Sequence, residues 1–225
     1  VRTILIKKLG SEYLGLSSLF SSILQVLNIT ELGFGAAAVF AMYKPIADDD
    51  YETTGAILFF LKKTYKVIGL ITIVLGMACT PFLKYLISGS VPPDINVYIL
   101  YYIYIGNTAI SYLLFAHKQS LLSALQLNQI INKIAFFSNM TMRICQIIVF
   151  LAYPNYYYYI VLIPIFTVIS NVSCSFVVDK KYKCWMIQGK LEENVKNNIK
   201  KRLFPLMSTK LAGVLVNSAD TLVVS

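Results

Sequence analysis

The sequence predicts an all-α protein, a polytopic bundle of transmembrane helices, and three features of its 225 residues support this fold class. Hydrophobic residues make up 57% of the chain and charged residues only 14%, whereas soluble domains are roughly 45–50% apolar and about 25% charged. The apolar residues form runs of the length that a helix needs to cross a bilayer. The positive charges lie mainly between these runs. Together the features exclude an ordinary soluble domain.

Five apolar runs are long enough to cross a bilayer as helices, and a sixth begins near Leu203. The five extend over residues Leu14 to Tyr43, Val67 to Ile87, Val97 to Ala116, Ile134 to Ala152 and Tyr156 to Val178. Two connecting stretches, Asp48 to Lys66 and Lys180 to Arg202, mix apolar and charged residues at helical spacing. We expect these two stretches to form surface helices against the lipid headgroups.

The connections between the runs predict which side of the membrane each one faces. The turns at residues 88–96 and 153–155 contain no Lys or Arg, whereas most basic residues lie in the other connections, above all between Lys180 and Arg202. Because basic loops remain in the cytoplasm, we assign these connections to the cytoplasmic side and the two turns without Lys or Arg to the outside. Tyrosines beside both of these turns are typical of the aromatic belt at a membrane interface.

Polar residues inside the apolar runs are the candidate site residues, because each one costs free energy in lipid unless it faces another helix or a water-filled cavity. Helical spacing places them on stripes of the first, fourth and last runs. The stripes are Ser18, Ser22, Gln25 and Asn28, with Glu31 beside them; Asn139, Arg143 and Gln146; and Lys210, Asn217 and Asp220. The sequence therefore predicts polar surface within the membrane interior.

Two interpretations of these stripes are open. The polar groups either bond to one another as contacts between helices, which we favour for the serines and Gln25, or line a functional cavity. For Arg143 and Asp220 the charge favours a cavity, because a central arginine costs at least ~2.5 kcal/mol unless it meets water, a carboxylate or an anionic substrate. Lys210 lies nearer the cytoplasmic end, where it can serve the cavity or extend its ammonium group to the interface.

The sequence contains no motif typical of an enzyme active site. Nucleophile elbows, phosphate-binding glycine loops and metal-spaced clusters are all missing, and His117 has no neighbouring Cys or His. The spacing of the four cysteines indicates reduced, structural thiols. We expect no enzymatic activity, cofactor or metal, and a basic stretch beside a membrane run indicates lipid contact rather than nucleic-acid binding.

Two motifs in the first 50 residues, VRTILIKKLGSEYLGL and NITELGFGAAAVFAMYKPIADDD, carry a family resemblance. Its characteristic residues are Arg2, Leu9, Gly10, Glu12, Tyr13, Gly15, Glu31, Leu32, Gly33, Gly35, Tyr43, Lys44 and Pro45. With them the chain resembles bacterial polysaccharide-repeat flippases of the multidrug, oligosaccharidyl-lipid and polysaccharide exporter superfamily. Near the other end, NSADTLVVS is similar to the helix that opens the second half of such transporters.

This resemblance implies about one N-terminal half of a two-bundle, alternating-access transporter. Residues 1–202 would form the first helix bundle without its first helix, including a basic cytoplasmic loop at 179–202, and residues 203–225 would begin the second bundle. The protein would be a multi-pass protein of the bacterial cytoplasmic membrane. Its cargo would be an oligosaccharide linked to a polyprenyl diphosphate, moved to the outer leaflet for surface polysaccharide biosynthesis.

The resemblance also suggests roles for the stripe residues. Arg143 and Lys210 would attract the diphosphate of the cargo. Glu31 and Asp220 would pair with these cations or bind a coupling ion, H+ or Na+. The other predicted cavity residues are Gln25, Asn28, Asn139, Gln146 and Asn217.

Two other functions are compatible with a multispanning chain. A multidrug or toxin exporter of the same superfamily, coupled to a cation, would have the same helix count, but Arg143 and Lys210 would repel cationic drugs. A membrane-embedded glycan polymerase usually needs a large external loop with basic residues, and the predicted outer turns here are short and contain no Lys or Arg. We therefore expect a flippase.

Overall fold

The computed structural model describes residues 5–6, 10, 12–27, 33–87, 91–153, 155–186, 189, 191–197, 199, 201, 205 and 208. Helices contain 87% of these residues and no strand occurs among them, which confirms the all-α prediction for this part of the chain. Three of its helices are long and apolar enough to cross a membrane, or four if one bent pair forms a single span. The predicted site residues Asn28, Glu31, Lys210, Asn217 and Asp220 lie outside the described residues.

Eight α-helices can be bounded in the described residues. They are α1 (Glu12–Leu27), α2 (Phe34–Ala47), α3 (Tyr51–Cys79), α4 (Leu83–Leu86), α5 (Val97–Leu113), α6 (Ala116–Ala124), α7 (Asn128–Ala152) and α8 (Tyr156–Lys181). Short 3-10 turns lie at Thr80–Phe82 and Lys183–Met186. Helices α7 and α8 correspond to the fourth and fifth predicted runs, and α7 begins six residues earlier than the predicted start at Ile134.

Side-chain caps fix where α3, α5 and α8 begin. The N-cap residues Asp50, Asn96 and Asn155 each accept a hydrogen bond from a backbone N–H in the first turn. The Thr53 side chain and backbone N–H beside Asp50 hold the pKa of that carboxyl below its usual range. The cap therefore stabilises α3 at neutral pH, and its contribution is lost as the pH falls through the lowered pKa.

The first apolar run is not one continuous helix, as predicted, but two. Helix α1 ends at Leu27 and α2 begins at Phe34. Gly33, the N-cap of α2, has a φ of 103°, a left-handed conformation that ends regular α-helix and that glycine adopts without steric cost. The prediction of a single span from Leu14 to Tyr43 is therefore wrong.

The prediction of a separate surface helix from Asp48 to Lys66 is also wrong, because α3 continues through this segment into the second run. The apolar helix from Tyr51 to Tyr85 contains 35 residues, which corresponds to about 50 Å. Ile57, Leu58 and Leu61 in its first half are fully buried against neighbouring helices. Since the hydrocarbon layer is about 30 Å thick, part of α3 extends beyond it.

The third run bends instead of ending at Ala116. Helix α5 stops at Leu113, and α6 continues from Ala116 at an angle of 50°. Phe115 occupies the corner with a φ of 62°, which breaks the helical hydrogen-bond pattern. The bend carries Lys118 and Gln119 of α6 inward beside α8.

Two hydrophobic clusters hold the bundle together, one toward each end. The first is built around Phe20, Tyr101 and Tyr156, and the second around Met42 and Leu121. Large apolar side chains also remain exposed along the outer faces of the long helices, as expected for surfaces that meet lipid. They include Val67, Leu70, Val74, Phe136, Ile148, Leu151 and Phe176.

The structure gathers the two sets of connections at opposite ends of the bundle. At one end, Tyr13 Oη donates to Asp94 Oδ1 at 2.7 Å, and Asn96 N donates to Tyr157 Oη at 2.6 Å. At the other end, the rings of Tyr51 and Trp185 pack with centroids 4.3 Å apart. This grouping is what the predicted alternation of sides requires.

The position of Cys184 provides a test of the predicted topology. All four cysteines are free, and Cys184 is exposed at the basic end of the bundle. In a variant whose other cysteines are serine, a membrane-impermeant thiol reagent should label Cys184 only after cells are permeabilised, because basic segments remain in the cytoplasm. Tyr153→Cys, placed at an exposed position of the opposite turn with Cys184 also changed to serine, is the matched control and should be labelled in intact cells. The reverse pattern would invert the topology.

Candidate functional site

A polar stripe along α8 is the main feature that the sequence analysis missed. Thr167, Asn171, Ser175 and Asp179 follow one another at intervals of four residues and so lie on one helix face. Each of them hydrogen-bonds to a side chain of α5 or α6. The same spacing rule that identified the stripe on α7 would have found this one. We define these four residues as the α8 stripe.

Lys118 and Asp179 form a charged pair at the basic end of the α8 stripe. Lys118 Nζ lies 2.7 Å from Asp179 Oδ1 and 2.6 Å from Oδ2, and it donates to Ser175 Oγ at 2.8 Å. The Lys118 side chain is only 9% exposed, whereas that of Asp179 is 54% exposed. Because the predicted third run ends at Ala116, the sequence places Lys118 in the connection after it, but the bend before α6 makes it a buried, paired cation.

Amide side chains continue the contact between α6 and α8. Gln119 Nε2 donates to Asn171 Oδ1 at 2.8 Å, and Thr167 Oγ1 donates to Asn107 Oδ1 of α5 at 2.7 Å. Asn171 is 6% exposed, and its Nδ2 has no hydrogen-bond partner among the described residues. This buried donor is unusual because nearly all buried polar groups in folded proteins are paired.

Two crevices meet at Gln119. The amide crevice, of about 250 Å³, is lined by Gln119, Ser138, Asn139, Met142, Ile163, Phe166, Thr167, Ser170 and Asn171. The aromatic crevice, of about 590 Å³, is lined by α2, α3, α5, α6 and α7 and includes Phe40, Tyr43, Tyr65, Tyr112, Gln119, Ser120 and Asn128. Among the described residues, those that line the two crevices are all uncharged.

In the predicted stripe on α7, one residue is buried in a contact with α8 and the other two are exposed. Gln146 is fully buried, and its Nε2 donates to the Tyr159 carbonyl at 3.1 Å, so it joins α7 to α8. Arg143 is exposed and donates from Nη1 to Gln146 Oε1 at 3.0 Å. Asn139 is exposed, donates to the Ala135 carbonyl and borders the amide crevice. The structure thus brings Asn139, but not Gln146, to a crevice.

Arg143 is a cation located deep within the apolar helix α7, far from both of its ends. It lies nine residues from Ala152, where the helix ends, or about 14 Å along the axis. This is close to half of the ~30 Å thickness of the hydrocarbon layer. Its side-chain bond to Gln146, the one found among the described residues, uses one of the five guanidinium N–H donors. An exposed arginine at this depth therefore needs water or an anion as a further partner.

The predicted stripe on α1 lies apart from both crevices. Ser18, Ser22 and Gln25 are all exposed, and Ser22 Oγ donates to the Ser18 carbonyl at 3.0 Å. No α1 residue lines the amide or the aromatic crevice. The favoured interpretation of these residues as contacts between helices finds no support among the described neighbours, and their partners remain a prediction.

The two crevices offer neutral hydrogen-bonding groups and aromatic rings. On α7, which borders both crevices, Arg143 is an exposed cation. Within the described residues no group of three His, Cys, Asp or Glu side chains could hold a metal ion. The arrangement suits binding of a polar ligand inside the membrane. Comparison of the chain with protein-family models, with curated proteins and with solved structures finds no match.

Proposed function

We propose that the chain belongs to a flippase that moves an oligosaccharide linked to polyprenyl diphosphate across the bacterial cytoplasmic membrane. The observation that carries this proposal is the exposed guanidinium of Arg143 near the middle of the apolar helix α7. A cation there is costly unless its environment is polar or anionic. A diphosphate supplies both charge and several acceptor oxygens, which arginine binds in bidentate geometry.

Alternating access explains why such a residue faces outward from this bundle. In the proposed transporter a second bundle covers this face, and the polar cavity lies between the two. The predicted cavity residues Lys210, Asn217 and Asp220 belong to the segment that would approach it. A gradient of H+ or Na+ would drive the exchange between the two open states.

The aromatic crevice favours a second candidate, an exporter of cationic drugs. Its lining contains Phe40, Tyr43, Tyr65 and Tyr112, and aromatic faces attract organic cations. Arg143 opposes this function, because a cation exposed toward the cavity would repel cationic cargo. The flippase therefore remains the favoured proposal.

Reconstitution of the full-length protein into liposomes separates the two functions. A fluorescent, polyprenyl diphosphate-linked oligosaccharide is placed in one leaflet, and its arrival in the other is measured with a membrane-impermeant quencher under a proton or a sodium gradient. We expect transfer well above that of protein-free liposomes and no accumulation of a cationic dye. Dye accumulation without transfer of the glycan lipid would instead support the multidrug exporter.

A further inference from the structure

One face of α3 carries a row of exposed apolar side chains that ends in a lysine. Lys63, Val67, Leu70, Val74 and Met77 follow one another at intervals of four and three residues, so they share this face. The four apolar side chains are each more than half exposed, so no described helix covers them. We define these four residues as the α3 apolar stripe. An exposed apolar face of this kind is typical of a surface that meets lipid.

The lysines of α3 lie at the depth of the lipid headgroups. Lys62 and Lys66 are exposed beside Lys63. In the helix from Tyr51 to Tyr85, Lys66 lies 19 residues before Tyr85, or about 28 Å along the axis. This distance is close to the ~30 Å thickness of the hydrocarbon layer. Because the exposed Tyr85 is typical of one membrane interface, the lysines belong to the opposite interface.

The positive charge of these lysines is not neutralised on α3 itself. Among the described residues none of the three lysines forms an ion pair, and the helix has no acidic residue after Glu52. Lys63 Nζ lies 4.6 Å from the centroid of the Phe59 ring, one turn further from Tyr85. Its ammonium group is therefore directed away from the α3 apolar stripe and toward the interface.

Two of the lysines also lie close to the start of α6. Lys62 and Lys66 are near enough to the buried ring of His117 for their charges to act on it. Asp179 is the acidic residue in this region, but Lys118 already pairs with it at 2.6 Å. The charge on Lys62 and Lys66 is thus left for a partner outside the described residues.

We propose that this face of α3 binds an anionic phospholipid, with the phosphate at Lys62, Lys63 and Lys66 and an acyl chain along the α3 apolar stripe. Such a lipid has an anion at one end and hydrocarbon beside it, in the same order as the lysines and apolar side chains of α3. A free phosphate would leave the stripe uncovered, and a zwitterionic lipid would not neutralise the lysines. The site concerns the surrounding lipid rather than the cargo, so its test is independent of the proposed function.

Native mass spectrometry of the full-length protein, titrated in neutral detergent with phosphatidylglycerol or phosphatidylcholine, tests this site. We expect phosphatidylglycerol to bind at least about tenfold more tightly, because each lysine at a membrane surface strengthens binding of anionic lipid about fivefold. Lys66→Gln should weaken this binding about fivefold, whereas Lys66→Arg keeps the charge and should bind as the wild type does. Lys84→Gln is the matched control, since Lys84 is an exposed lysine beside Tyr85 at the other end of the helix.

Several outcomes would overturn the proposal. Equal binding of the two lipids would remove the preference for an anionic headgroup, and equal losses in Lys66→Gln and Lys84→Gln would indicate a general effect of net charge. Displacement of the lipid by an equal concentration of inorganic phosphate would reduce the site to one for a free anion. Loss of a dimer rather than of lipid in Lys66→Gln would assign the face to a second copy of the chain. If Lys66→Gln fails to fold, Lys62→Gln provides the same test.

Discussion

Arg143→Ala should abolish transport of the lipid-linked oligosaccharide in the full-length protein while leaving its abundance in the membrane nearly unchanged. The side chain is exposed, and its hydrogen bond to Gln146 contributes little to stability because Gln146 keeps its own bond to the Tyr159 carbonyl. The lost interaction would be with the diphosphate of the cargo. Arg143→Lys should retain part of the activity, because the charge remains but the bidentate geometry does not.

The measurement is transport of the glycan lipid in liposomes or export in cells, normalised to the amount of protein in the membrane. Lys133→Ala is the matched control, since Lys133 is also an exposed cation of α7 but lies near the end that begins at Asn128. Normal transport by Arg143→Ala would show that the residue is outside the path. Loss of the protein itself, reversed by a compensating change at Glu31 or Asp220, would make Arg143 a structural contact.

Asp179→Ala should destabilise the bundle more than Lys118→Met does. Removing Asp179 leaves a buried ammonium without its counter-ion, whereas removing Lys118 leaves a carboxylate that is already 54% exposed to solvent. Breaking a fully buried pair costs about 3–5 kcal/mol. Because Asp179 is partly screened by solvent, we expect about 2 kcal/mol for Asp179→Ala. The double variant should resemble Lys118→Met alone.

Thermal unfolding of the purified protein measures this difference. A loss of about 2 kcal/mol corresponds to a decrease in Tm of about 4–8 °C for a chain of this size. Asp48→Ala is the control, because Asp48 is exposed at the end of α2 and has no ion pair within the described residues. Equal shifts for Asp179→Ala and Lys118→Met would contradict the assigned asymmetry.

The errors of the sequence analysis have local causes. Hydropathy predicts the first run as one helix because it does not register the left-handed Gly33 that precedes α2. The lysines before Val67 predict a surface helix distinct from the second run, although α3 continues through these lysines. Hydropathy leaves Lys118 in a loop because it does not register the bend at Phe115, which brings the next helix back into the bundle.

Hydropathy and charge by themselves determined that the chain forms apolar helices, which of their connections are basic and which polar residues lie between apolar neighbours. These properties depend on residues close together in the sequence, so composition and helical spacing suffice to predict them. The tertiary structure alone decided which polar groups meet. Lys118 and Asp179 are 61 residues apart and Gln119 and Asn171 are 52 apart, and their pairing depends on how α6 and α8 are rotated and packed. Helical periodicity predicts which residues share one face of a helix, but only packing decides which neighbouring helix that face contacts.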